Sequence, residues 1–442
     1  MKTLKSLNFG VFGWFLLIYQ FIAYVAQTTF AGWPLNFLAD MYGGAAIVSG
    51  LYTAGVFVVL AIQLLMSRVV GKMKSVRKWS CIVGVGAVFF SFLIMVVPPT
   101  MLGLWLVAYF LTIVCSLTWS INLVGLLAGQ WFPTKKGTFM GIATLAFPIC
   151  NGMQGLFAKL LFKNGAPDVF GAFLPFWIII LIGLIIGIAV IRDYPEQLGA
   201  YRDNDKSMTP EVAKQMMLQD IENKKSSVWK TGKTLSVRDF WLLTVPMGLM
   251  LMAAVGMMHQ TSVILGSFGA ELDKFGGFAG VMFLVMIFGI IGSFVIGLID
   301  TAIGTKKAVV FSCVLMAISG ALGMTNQATM VVVSIIVLAV FMGASSNFIV
   351  SASAQYWRRE DFMSVYSCMS PVANIFQAVG PMIVAFVFVG MGTTAVFGVV
   401  LVAGIIAVIM SLLFSSKHVK NIDDKLREKA GKPLDDALVG RK

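Results

Sequence analysis

Long uninterrupted apolar runs, not alternating positions, dominate this 442-residue chain. Twelve of them stand out, at 11–33, 45–66, 79–98, 101–130, 139–161, 172–191, 240–265, 277–299, 307–325, 328–354, 364–389 and 393–415. Each is close to or longer than the roughly 20 residues a helix needs to cross hydrocarbon. Hydrocarbon cannot satisfy backbone donors and acceptors, so the spans must be closed helices. A transmembrane barrel would instead alternate over segments of about 10 residues. The pattern predicts an all-α membrane protein of twelve transmembrane helices. Six lie in a bundle at 1–192 and six at 239–416; a linker at 193–238 joins them and a charged tail follows at 417–442.

The polar residues inside the runs occur twice. Pro148-x-x-Asn151-x-x-Gln154 returns as Pro371-x-x-Asn374-x-x-Gln377. Ser120-x-Asn122 with Gln130-Trp131 returns as Ser345-x-Asn347 with Gln355-Tyr356, and Gln27-Thr28-Thr29 as Gln260-Thr261-Ser262. The offsets are 223, 225 and 233 residues, so the order is kept while small insertions shift the spacing. Two pseudo-symmetric bundles that offer matching polar side chains to a midplane site are a common transporter plan.

Composition agrees: 58% of residues are hydrophobic and 12% charged, with a mean hydropathy of +0.89. A net charge of +13 raises the question of nucleic acid, but the distribution answers it. With the amino terminus inside, 30 of the 33 Lys and Arg fall in inner segments; only Lys159, Lys163 and Lys274 do not. That bias sets orientation, with both termini cytoplasmic. Short loops suit a bacterial cytoplasmic membrane, and the first run is too long for a cleavable leader. Within the linker, Thr209, Pro210 and Glu211 read as the start of a short amphipathic helix with Val212, Met216, Met217 and Ile221 as its apolar stripe. The tail carries one expected helix, at 422–429, set against lipid headgroups.

The loops add a resemblance. One reads Gly297-Leu-Ile-Asp300-Thr-Ala-Ile-Gly304-Thr-Lys306-Lys307, and its partner Ser67-Arg68-Val-Val-Gly71-Lys72. Another reads Trp131-Phe132-Pro133-Thr-Lys135-Lys136-Gly137, and Tyr194-Pro195-Glu196 follows the sixth run. Together they resemble the major facilitator superfamily, most closely its oxalate/formate antiporter branch. The resemblance implies the major facilitator fold and gating by Ser67, Arg68, Gly71, Asp300, Gly304, Lys306 and Lys307. Physically, Asp300 suits a helix N-terminus and Gly304 a tight turn; the alternative is that these charges only fix topology. Ser67 replaces the expected acid, which weakens the first latch. The branch places cations near Gly292 and Ser370, and this chain has none there, which speaks against a dicarboxylate.

The available chemistry is neutral hydrogen bonding. Asn151 and Gln154 share a helix face, as do Asn374 and Gln377. Pro148 and Pro371 free the carbonyls of Thr144 and Ser367, so each helix is expected to kink. Gln27, Trp119, Asn122, Asn151, Gln154, His259, Gln260, Asn347, Asn374 and Gln377 are the candidate substrate-binding residues, drawn from the first, fourth, fifth, seventh, tenth and eleventh runs. For the amides the competing role is interhelical bonding. His259 is the one histidine in a run, a candidate carboxylate donor or proton carrier. The five cysteines fit neither a metal site nor a disulfide framework. No phosphate-binding loop or catalytic motif occurs, so neither an enzyme, a cofactor nor a metal is expected. The reading is a monomeric secondary or exchange transporter for a small monocarboxylate-like acid. The alternatives are a carrier of a neutral or amphipathic solute, or a non-transporting ligand sensor.

Overall fold

The computed structural model describes residues 8–69, 73–133, 135–163, 165–358 and 360–434, and is helical throughout with no strand among them. The spanning helices are α1 (Gly10–Phe37), α2 (Ala45–Val69), α3 (Val76–Val96), α4 (Pro99–Trp131), α5 (Thr138–Leu161) and α6 (Val169–Ala189). After the linker helix α7 (Pro210–Ser226) come α8 (Arg238–Met258), α9 (Gly277–Ile303), α10 (Thr305–Met324), α11 (Ala328–Tyr356) and α12 (Phe362–Leu413). The tail forms α13 (Ser416–Ala430).

Among the described residues eleven helices are long and apolar enough to span, and α12 accounts for the twelfth crossing. At 52 residues a straight α12 would run about 78 Å, far beyond a hydrocarbon core of roughly 30 Å. Gly392 breaks it with φ 78° and ψ −175°, a conformation that needs glycine. The arm before Gly392 packs on α8, where a Cβ on Gly256 would lie 2.8 Å from the Gly380 carbonyl group. The arm after it runs antiparallel to α10, pairing Ala317, Gly320 and Gly323 with Gly404, Leu401 and Phe397.

Two apolar cores result. One draws on residues from Phe9 to Ile191, with Ala378 reaching across; the other runs from Trp229 to Val419. The halves meet along two seams. On one, α5 lies against α9: Gly152 faces Met286, Gly155 faces the Ala279 backbone and Gly289 faces Pro148. Small residues let membrane helices approach this closely. On the other, α2 meets the first arm of α12, and the Thr53 hydroxyl donates to the Ala378 carbonyl at 2.8 Å.

The linker and tail occupy one face. Thr209 caps α7, accepting from the Val212 amide at 3.4 Å. Its inward stripe keeps Met216, Met217 and Ile221, with Ala213 buried in place of the expected Val212, which is exposed; Met217 sulfur accepts from Gln130 at 3.2 Å and Tyr194 at 3.3 Å. The tail departs further from expectation. It is a longer helix than the 422–429 stretch and is docked on protein. Buried Arg427 pairs with Glu360, Asp361 and Asp423, while Arg358 binds Asp423 at 2.8 Å and Asp424 at 3.3 Å. Ser227 donates to Asp361 at 2.6 Å and Trp229 to Asp423 at 2.8 Å, so the end of the linker joins the same network. Burial pushes the Asp361 carboxyl up; the Ser227 hydrogen bond and Arg427 oppose it. Arginines that the charge pattern assigned to topology thus include two at the centre of an ion network.

Candidate substrate-binding site

Two of the repeated motifs sit where the helix is irregular. Gln27-Thr28-Thr29 opens a π segment, Gln27–Gly32, and Ser120-x-Asn122 lies in another, Thr118–Val124. Inserted π turns are frequent at functional sites. Gln260 lies in the break between α8 and a short helix, Thr261–Gly266, whereas Asn347 sits in unbroken α11. The prolines diverge as well. Pro148 interrupts α5 at a turn, Thr144–Leu145, and the Thr144 carbonyl accepts from Phe147 at 3.0 Å. Around Pro371 the helix continues without an intervening turn. The Ser367 hydroxyl bonds Ser364 instead, at 2.9 Å.

The strongest contacts between the halves gather away from the linker, on what is here called the far side. Asn36, at the end of α1, is the hub. Its amide donates to Gln154 at 2.6 Å and to the Met258 carbonyl at 3.0 Å. The Ser262 hydroxyl donates back to the Asn36 carbonyl at 2.5 Å. Gln154 in turn donates to Asn151 at 2.9 Å. Next to Met258, the His259 ring lies against Gly32, where a Cβ would meet its Nε2 at 2.5 Å, and edge-on to Tyr52 with centroids 5.2 Å apart. The Tyr52 hydroxyl faces Gln377. Gln260 donates to Ser49 at 3.4 Å. A belt of amides, hydroxyls and two rings therefore crosses from the α5/α9 seam to the α2/α12 seam.

The repeated amides do not converge as one cluster, contrary to the simplest use of the symmetry. Asn151 and Gln154 sit on the first seam, with the Asn151 amide donating to the Phe147 carbonyl at 2.9 Å and facing Met342 sulfur at 3.7 Å. Asn374 and Gln377 sit on the second, with Asn374 donating to Ser370 at 3.3 Å and Ser370 accepting from Gln63 at 3.4 Å. Asn347 reaches between the halves to Thr144 at 3.5 Å. Gln27 bonds inside its own bundle, accepting from Ser120 at 2.7 Å; Asn122 reaches only the Val59 carbonyl at 3.5 Å, and its Oδ1 is buried without a partner. Trp119 lies within the first bundle, donating to Tyr19 at 2.9 Å, and lines no contact between the halves. His259 Nδ1 is buried and unpartnered.

Sequence reasoning missed Asn36, Ser49, Tyr52, Thr53 and Gln63. None has a repeated partner, and symmetry was the signal being read. Gly292, where the resemblance places a cation, packs against the Val340 backbone, so no long side chain fits there. Among the described residues the buried Lys, Arg, Asp and Glu side chains are Arg202, Asp203, Asp239, Arg358, Asp361, Asp423 and Arg427, all on the linker side. The belt carries no fixed charge.

On the linker side the loop residues bind helix ends. Gly304 takes φ 90°, Asp300 accepts from the Thr305 hydroxyl at 2.6 Å, and Gln355 and Tyr356 accept the Thr305 and Lys306 amides at 2.8 Å each. Lys306 caps α12 through the Leu412 and Phe414 carbonyls at 3.1 and 2.7 Å; Lys307 is exposed. In the first half Asp193 accepts from Ser75 at 2.6 Å and the Arg77 amide at 2.8 Å, while Arg77 caps α6 at Gly187 and Ile188. Ser67 and Arg68 lie in the last turn of α2, and Gly71 is outside the described residues.

Residues 275–441 match the model of the Major Facilitator Superfamily. No curated protein matches the sequence. A POT family transporter solved in complex with 5-aminolevulinic acid superposes with a TM-score of 0.62 at 14% identity, covering 95% of this chain and 96% of that one. The nucleoside transporter NupG gives 0.60 at 13% identity, covering 90% and 97%. A sequence match through the second bundle and a fold shared end to end with two transporters make this chain a multi-pass membrane protein with the major facilitator fold.

Proposed function

We propose that this protein is a secondary transporter that moves a small, monocarboxylate-like acid across a bacterial cytoplasmic membrane by alternating access, its linker face being the cytoplasmic one. The observation that carries the reading is the uncharged belt across the far side. Polar contacts between membrane helices contribute about 0.6 kcal/mol each. Among the described residues five donors tie the halves there, the Asn36 amide to the Met258 carbonyl, the Ser262 amide and hydroxyl to Asn36, Gln260 to Ser49 and Thr53 to Ala378, and together they amount to roughly 3 kcal/mol. That biases an equilibrium about a hundredfold, enough to hold one side shut and little enough for a ligand to reverse. Among the described residues the interbundle bonds on the linker side, Gln63 to Ser370 and Asn347 to Thr144, are long, at 3.4 and 3.5 Å. We assign Asn151, Asn374, Asn347 and Ser370 to the solute.

The loop motifs' likeness to the oxalate/formate antiporter branch supports an acid, and the missing cation at Gly292 supports one with a single carboxylate. A neutral or amphipathic solute is the second reading, favoured by the absence of fixed charge. Flux of labelled monocarboxylates, oxalate and neutral analogues into proteoliposomes separates the two. Asn151→Ala and Asn374→Ala are each expected to lower flux about tenfold, the loss of one to two polar contacts. Saturable binding without flux would replace transport by sensing, and wild-type flux in both variants would remove these residues from the site.

A further inference from the structure

Where the linker meets the tail helix, Lys225, Lys230, Lys429 and Lys432 surround a cavity of about 380 Å3, walled also by Ser226 and Leu426. The four ammonium groups come from two segments more than 190 residues apart, and no carboxylate lines the space. Gathering like charges this way is unfavourable unless something else holds the segments together. That something is next door. Arg427, on the same helix, is clamped by Glu360, Asp361 and Asp423, so the carboxylates that would neutralise the lysines are already committed to buried pairs. Among the described residues two acids come near the cavity. Glu222 lies 4.0 Å from Lys225 with both side chains largely exposed, and Glu360 lies 3.9 Å from Lys432. Lys432 also donates to the Ser226 carbonyl at 2.7 Å, which closes one end of the cleft across the two segments. Among the described residues Lys230 and Lys429 make no ion pair.

We propose that this cleft binds a phosphate group, as carried by an acidic phospholipid headgroup or by a soluble phosphomonoester, and thereby ties the linker to the tail. Three features support it. The cavity is of the size that holds small ligands. The charged residues that line it among the described residues are all lysines, and clusters of lysine beside a membrane-spanning bundle attract anionic headgroups. It also sits on the face that carries the exposed indole of Trp241, whose N–H bonds the Leu235 carbonyl at 2.8 Å beside the start of α8.

The test uses the full chain, purified in detergent and in nanodiscs, with thermal unfolding and tail proteolysis as readouts. One arm titrates inorganic phosphate and glycerol phosphate against chloride at matched ionic strength. The other compares nanodiscs of phosphatidylcholine alone with nanodiscs containing phosphatidylglycerol. Saturable protection of the tail is expected in at least one arm, and which arm responds identifies the source of the phosphate. Lys230→Gln with Lys429→Gln is expected to weaken that protection at least about tenfold, while Lys→Arg at both positions retains it. Absence of protection in both arms, or equal protection of the double Gln variant, would overturn the proposal. Folding of the variants is checked independently by their unfolding temperature without phosphate.

Discussion

Asn36 does more at the junction of the halves than any residue the repeats singled out. Its side chain joins Gln154 of its own half to the Met258 carbonyl and Ser262 of the other. Replacing it by Ala removes three interbundle bonds, to the Met258 carbonyl and from the Ser262 amide and hydroxyl, about 2 kcal/mol at roughly 0.6 kcal/mol per bond. Asn36→Ala is therefore expected to raise the reactivity of a cysteine placed at Thr53 toward an impermeant reagent added from the far side by ten- to thirtyfold. Unchanged labelling would show that the belt does not hold that side closed. Trp119 supplies the contrast. Buried between Tyr19 and Gly84, it serves the first core. Trp119→Phe is expected to cost about 1 kcal/mol, the worth of one hydrogen bond, visible as a lower unfolding temperature with the transport KM unchanged.

At the scale of elements, the two halves use the same motifs differently. Pro148 follows a turn in α5 where the Thr144 carbonyl it frees accepts from the Phe147 amide at 3.0 Å, and Thr144 Oγ1 donates to the Gly141 carbonyl at 3.1 Å. Pro371 is carried by an unbroken helix packed on α2 and α8. The α5/α9 seam depends on glycine, since a Cβ on Gly155 would run into the Ala279 backbone. Gly155→Leu is expected to cost about 1–3 kcal/mol through overpacking, read as lower thermal stability in detergent. The tail is a structural element too. Removing one partner of a buried ion network costs about 3–5 kcal/mol. Arg427→Ala should accordingly release α13, so that limited proteolysis cuts after residue 416 in the variant at concentrations that leave the native protein intact. Resistance equal to that of the native chain would show that the apolar face of α13 suffices.

For the whole molecule, apolar run length and charge placement were legible in the chain because the bilayer as solvent leaves few options. Backbone groups must be satisfied within helices, and lysines and arginines avoid hydrocarbon. The helix count, the duplication, the linker cap at Thr209 and the turn at Gly304 follow from such local or compositional rules. The convergence of the repeated amides did not follow, because a repeat specifies which helix a residue occupies and not which seam that helix joins. Packing placed α5 against α9 and the first arm of α12 against α2, and so divided the two amide pairs between separate seams. It brought unrepeated Asn36, Tyr52 and Thr53 between them, and moved Trp119 into a core. It also turned the tail from a string of charges into a docked helix, since the carboxylates of Glu360, Asp361 and Asp423 approach Arg427 only once the chain is folded. The sequence by itself determined the solvent, the number of crossings and the neutral chemistry inside. Which polar groups meet across the halves was decided by close contacts between residues distant along the chain, and those exist only in the tertiary structure.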